Sequence, residues 1–183
     1  LDHNDTVADS PTNNFATFNP IEAVSGGTRV LSDGNLSAAV TYGGNYPTAR
    51  LTFLPTNVTG QFYWEVTIGS KTSTYYQLGF NIKSLVYSSG DLHTTYRSDG
   101  NLSNTLSGSW SGTGVSYTQG DVIGVAYDAS NGEAKFYKNG TYVATWTPSS
   151  FPEGYNFGVF SSSATNNYTI NCGQQPFKYD PPA

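Results

Sequence analysis

Hydrophobic and polar residues alternate with a period of two along most of this chain. Across residues 61–68, Phe62, Trp64, Val66 and Ile68 take one parity, and Gln61, Tyr63, Glu65 and Thr67 take the other. Across 75–82 the apolar set is Tyr76, Leu78, Phe80 and Ile82, opposite Tyr75, Gln77, Gly79 and Asn81. Successive side chains of a strand point to opposite faces, so each run predicts a strand with one buried face. Shorter runs predict further strands near 28–31, 36–42, 49–54, 155–160 and 167–172. No stretch carries a helical period. Many short strands separated by Gly, Asn and Pro indicate packed antiparallel sheets rather than a parallel sheet with crossover helices. The predicted fold is an all-β antiparallel β-sandwich, with Trp64, Phe80, Phe136, Phe157 and Tyr168 in its core.

Turn residues sharpen the picture. Asn131-Gly132 and Asn139-Gly140 bracket the run 133–138. Asn-Gly suits the two positive-φ positions of a type I′ turn, the tight turn that joins right-twisted antiparallel strands. The prediction is a three-stranded meander over 121–128, 133–138 and 141–146, closed by two-residue turns. The hexapeptide Ser-Asp-Gly-Asn-Leu-Ser occurs twice, at 32–37 and 98–103. It reads as one turn solution used twice, Asp-Gly to turn and Leu to re-enter a strand. The longest polar stretch, 83–118, scatters Tyr87, His93, Tyr96, Arg97 and Trp110 among Ser, Gly and Asn. A stretch of that length in a compact domain is either functional or carries a short edge strand. Residues 1–27 are expected to form an irregular arm packed on the sandwich, and 180–183 the exit from a single domain spanning 1–183.

Composition narrows the partners. Only 11% of the residues are charged, against roughly 25% in an average globular chain. The surface must therefore be built from Asn, Ser, Thr, Gly and Tyr, which suits hydrogen bonding and ring stacking better than ionic recognition. The net charge is −5 and Lys and Arg do not cluster, which argues against a nucleic-acid partner. No apolar run has the length of a membrane span. One Cys and two His make neither an intramolecular disulfide nor a zinc site, and no cofactor is expected. Calcium needs six to eight oxygens, whereas Asp33/Asn35 and Asp99/Asn101 offer two side chains per site, so no metal is expected either.

Several segments resemble the SPRY domain family. Phe62-Tyr63-Trp64-Glu65-Val66 matches its Trp-Glu-Val strand, and Tyr76-Gln77-Leu78-Gly79-Phe80 the strand that follows. Tyr96-Arg97-Ser98-Asp99-Gly100-Asn101 resembles its aromatic-x-x-Asp-Gly turn. Residues 120–140 resemble its most recognisable block, and Phe157-Gly158-Val159-Phe160 its penultimate strand. The ending Asn171-Cys172-Gly173-Gln174-Gln175-Pro176-Phe177, with residues 10–20, is similar to SPRY-like domains embedded in bacteriophage structural proteins. There Phe usually stands where this chain has Cys172. The resemblance implies a concanavalin-like jelly roll and non-catalytic binding through loops at one end of the sandwich. In a phage tail fibre or spike, commonly a trimer, it implies a host cell-surface glycan or protein receptor and a place on the virion surface. The alternative is an intracellular peptide-binding adaptor, and behind it a jelly-roll glycosidase.

Catalytic readings find little to stand on. Glycoside hydrolysis needs two carboxyls facing across a cleft. Of the four Glu residues, Glu65 reads as structural on the Trp-Glu-Val strand, Glu133 sits in a hairpin and Glu153 follows Phe151-Pro152. Gly108-Ser109-Trp110-Ser111-Gly112 puts Trp where a nucleophile elbow needs Ser. Cys172 shares the parity of Tyr168 and Ile170 and reads as a packing thiol. The expected ligand-binding residues are Tyr87, His93, Tyr96, Arg97, Asn101 and Trp110, where aromatic area and a planar guanidinium lie among adaptable polar side chains.

Overall fold

The computed structural model describes residues 15–24, 26–44, 47–53, 58–72, 75–81, 92–103, 110–147 and 156–182, with only the backbone at 81, 92–94 and 110. These residues form thirteen strands and no helix. Seven of the strands are β1 (Gly27–Ser32), β2 (Ser37–Tyr42), β4 (Gln61–Lys71), β9 (Val122–Asp128), β10 (Glu133–Lys138), β11 (Thr141–Trp146) and β13 (Thr165–Asn171). They make one sheet in the order β1-β2-β13-β4-β9-β10-β11. The other six are β3 (Thr48–Arg50), β5 (Gln77–Asn81), β6 (Leu92–Arg97), β7 (Asn101–Ser103), β8 (Trp110–Gly112) and β12 (Asn156–Phe160). Their order is β3-β12-β5-β6-β7-β8, and every pairing in both sheets is antiparallel.

Alternation places the core where the sequence predicts it. Trp64, Val66 and Ile68 of β4, Val125 of β9, Phe136 of β10 and Tyr168 of β13 face Leu78 and Phe80 of β5 and Phe157 and Val159 of β12. Phe80 is the hub: its ring lies 5.7 Å from Trp146, 5.5 Å from Phe157 and 5.4 Å from Tyr127. Aromatic pairs at such separations add to the gain from buried area. Tyrosine hydroxyls also tie the two sheets together. The Tyr168 hydroxyl accepts from the Gln77 amide at 3.0 Å and donates to the Phe160 carbonyl at 2.7 Å. That of Tyr76 donates to the Gly69 carbonyl. A buried phenol needs such partners, and a chain with 14 Tyr can supply both ring and polar tip.

The meander β9-β10-β11 is continuous, as predicted, but its two turns differ. Asn139 and Gly140 have φ of 50° and 78°, the pair of positive values that a type I′ turn requires. The other connection departs from prediction. Asp128 pairs with Glu133, leaving the four residues 129–132, and among Asn131 and Gly132 only Gly132 has positive φ. The Asp128 carboxylate explains the wider turn. It accepts from the Ser130 amide at 2.9 Å, the Asn131 amide at 3.2 Å and the Asn131 side chain at 2.8 Å. An acid that captures the amides two and three residues on makes an Asx-type turn, which competes with the two-residue solution.

Segments outside the strands are anchored individually. Phe18 is fully buried and bridges to Leu51. Glu22, close by, lies between the buried guanidiniums of Arg29 and Arg50. Residues 177–179 run across the outer face of the larger sheet. Phe177 packs edge-on against Tyr63 at 4.9 Å, and the amides of Lys178 and Tyr179 donate to Glu65 at 2.8 and 2.9 Å.

Candidate functional site

The second copy of the hexapeptide makes the turn after β6 and then forms β7. Tyr96, just before it, points inward: its ring lies 4.8 Å from Tyr117 and 5.7 Å from Phe136, and its hydroxyl donates to the Val115 carbonyl. Alternation then puts Arg97 on the opposite face. Arg97 Nε and Nη2 donate to the two Asp99 oxygens at 3.0 and 2.7 Å, a forked pair. The same guanidinium lies over the Tyr75 ring at 4.4 Å. Asn101 closes the group, its backbone and side-chain amides donating to Asp99 at 3.2 and 2.7 Å. The Arg97 guanidinium beside it, then the Asn101 donors, pull the Asp99 carboxyl down to about 2.

The turn beneath this group is fixed from the inside. The amide of Ser98 donates to the Tyr76 carbonyl and its hydroxyl accepts from the Tyr76 amide, at 3.0 and 3.1 Å. Its carbonyl accepts from the Tyr117 amide at 3.0 Å, and the Gly100 carbonyl from the Thr113 amide at 2.7 Å. Gly100 has a φ of 87°, and a Cβ there would lie 3.1 Å from the Val115 backbone. Only glycine fits both the left-handed backbone and the close approach.

The structure thus brings together two of the expected contact residues, Arg97 and Asn101, through Asp99. Tyr96 is corrected to a core residue, with no exposed surface. It belongs to a strand inside the stretch expected to be mainly loop, and the apolar parity of that strand carries it inward. His93 lies in β6 and Trp110 opens β8, but their side chains, like Tyr87, fall outside the described residues. Tyr75 and Asp99 are additions to the expected set. Tyr75 has the outward parity of its run, and Asp99 is the turn-former between two expected contacts, but only the register of β5 on β6, with Gln77 opposite Arg97, shows that they meet.

The remaining chemistry is engaged elsewhere. Glu65, the matching residue of the Trp-Glu-Val strand, is buried under residues 178–179, and its carboxylate is occupied by their amides. Glu133 pairs with Lys135 at 3.0 Å, and Glu153 lies outside the described residues. Cys172 packs against the core, and burial pushes its thiol up to about 12, far above the range of a reactive cysteine. Among the described residues, no group of three or more His, Cys, Asp or Glu side chains could hold a metal ion. At Asp99 a guanidinium already stands where a cation would have to sit. What the Tyr75–Arg97–Asp99–Asn101 group offers is a rigid, mixed aromatic and hydrogen-bonding surface.

Comparison with known proteins agrees with the architecture. The SPRY domain family model matches residues 61–175. The crystal structure of the SPRY domain of human HERC1 superposes with a TM-score of 0.66 at 18% identity, covering 87% of this chain and 99% of that one. A second human SPRY domain gives 0.60 at 22% identity, covering 81% of this chain and 98% of that one. Stonustoxin gives 0.63 at 17% identity, covering 86% of this chain and 27% of that one. No curated protein sequence matches the chain.

Proposed function

The chain belongs to the SPRY domain family, whose members are typically protein-interaction modules, and from that membership we propose a non-catalytic recognition module of a virion surface protein. In this reading it is part of a phage tail fibre or spike and binds a host-surface glycan or protein. The support for the phage setting is the closing motif over 171–177 together with residues 10–20. The support for recognition is the Arg97–Asp99–Asn101 group. Arg97 is restrained by its fork to Asp99 and by the Tyr75 ring, so little side-chain freedom remains to be lost on contact. Tyr87, His93 and Trp110 are proposed as neighbouring contacts, and Tyr96 as their support from below.

A glycan array and a peptide-display library, both probed with this domain, test the reading. The expected result is saturable binding to one class, weakened about tenfold or more by Arg97→Ala and by Asn101→Ala, with the melting temperature nearly unchanged. Binding that survives both substitutions at full strength would remove the site from this patch. Turnover of an arrayed glycan would contradict the non-catalytic reading.

A further inference from the structure

A concave site lies on the larger sheet, on its outer face. A cavity of about 230 Å³ opens between β4, β9 and β10 and is walled on one side by Pro181 and Pro182. Along the cavity its central strand, β9, presents Ala126 and Asp128, with Gly124 next on the same face, while Tyr63 stands opposite Ala126 and Tyr137 opposite Gly124. Small residues between two tyrosines make a trough one strand wide. The Tyr63 hydroxyl lies over Gly124, 2.5 Å from where a Cβ would stand, so that glycine sets the position of the Tyr63 wall. Tyr63 is held by Phe177 and by its hydroxyl bond to Glu65 at 3.4 Å. Tyr137 packs edge-on against Tyr142 at 5.9 Å.

Beyond the tyrosines the lining turns polar. Gln61, Asp128, Glu133 and Lys135 supply a carboxamide, two carboxylates and an ammonium. Donors and acceptors are both present, and one cation against two anions disfavours phosphate, sulfate or any other anionic ligand. An organic cation is disfavoured because Glu133 is already neutralised by Lys135 at 3.0 Å and Asp128 is bonded to the Ser130 and Asn131 amides and the Asn131 side chain. The cavity is smaller than the roughly 300–1,000 Å³ that holds a drug-sized ligand, which limits the occupant to about one ring. A neutral ring with an apolar C–H face and several hydroxyls meets all three demands. We infer that this trough is a binding site for a single neutral pyranose residue at the end of a glycan. Its C–H face lies against Tyr63 and Tyr137, and its hydroxyls reach Gln61, Asp128, Glu133 and Lys135.

The site shares no residue with the Arg97 group and does not depend on the reading of it. Titration of the domain with methyl glycosides of glucose, galactose, mannose and N-acetylglucosamine, followed by amide chemical shifts, tests the inference. At least one should move the amides of Ala126, Lys135 and Tyr137 saturably, with a Kd on the order of 1 mM, typical of a one-ring contact. Tyr137→Ala should weaken that binding at least tenfold, and Gln61→Ala, at an exposed position, should weaken it severalfold while the fold is kept. Arg97→Ala should leave it unchanged. The inference is overturned if no glycoside moves these amides, if both substitutions leave binding intact, or if arginine, choline or inorganic phosphate binds there in place of the sugars.

Discussion

Two copies of one hexapeptide, Ser-Asp-Gly-Asn-Leu-Ser, fold differently in this protein. In the first copy Asp33, Gly34 and Asn35 all have positive φ, at 53°, 63° and 67°. They turn β1 back onto β2 in the open, and the Asp33 carboxylate meets only the neighbouring Ser32 hydroxyl, at 3.4 Å. In the second copy only Gly100 has positive φ. There Ser98 is buried, bonded to Tyr76 and Tyr117, and Asp99 is clasped by Arg97 and Asn101. Asp-Gly therefore determines that the chain turns, and its surroundings determine how. The expectation of a single turn solution used twice fails because Ser98 and Asp99 have tertiary partners where Ser32 and Asp33 are exposed, the first copy being held only further on, where the Phe18 amide donates to the Asn35 carbonyl and the Ile170 amide to that of Leu36.

Removing those partners should break the contrast most severely. Tyr96→Ala would empty the ring volume under the second copy and should lower unfolding stability by about 3–5 kcal/mol in denaturant titration. An effect below about 1 kcal/mol would mean that the turn is held locally. Gly100→Ala adds a Cβ against the Val115 backbone in a left-handed conformation, for a loss of about 2–4 kcal/mol. The matching Gly34→Ala meets nothing within 4 Å and should lose about 1 kcal/mol, the conformational part alone. Equal losses at the two glycines would show that the close approach carries no weight.

The carboxylates give a subtler contrast. The Asp99 carboxyl titrates near 2 in the folded protein, below its unfolded value of about 4, so its contribution is present above pH 4 and is lost as pH falls toward 2. Its partly exposed setting reduces the contribution to about 1 kcal/mol. Asp121 and Asp128 are also held low, so the readout is the difference between wild type and Asp99→Asn. That difference should be largest near neutral pH and vanish near pH 2. A constant difference across the range would assign the effect to geometry rather than charge. Asp33→Ala, with one weak contact to lose, should change stability by no more than about 0.5 kcal/mol.

The sandwich was legible because its long strands alternate polar and apolar residues, as Gln61 to Ile68 do, although the polar Glu65 is itself buried under residues 178–179. β6 was not, since Leu92, Thr94 and Tyr96 alternate with His93, Thr95 and Arg97, and threonine suits either face. Thr95 is itself fully buried. Parity alone could still have separated Tyr96 from Arg97 and sent only the second outward. The type I′ signal held at Asn139-Gly140 but gave way at Asn131-Gly132, where Asp128 captures the following amides. Within the site, Arg97 and Asn101 stood out by composition. Tyr75 did not, because its meeting with Arg97 depends on a non-local register that no local pattern encodes.

The two hexapeptides also serve as an internal control for the proposed recognition surface, being identical in residues and different only in setting. The direct test is to titrate the domain with the glycan or peptide selected from the array and the library and to follow its amide chemical shifts. Asp99, Gly100 and Asn101 should shift saturably with one affinity, while Asp33, Gly34 and Asn35 stay in place. Equal movement of both copies, or saturable binding that moves neither, would contradict the assignment of recognition to the Arg97–Asp99–Asn101 group.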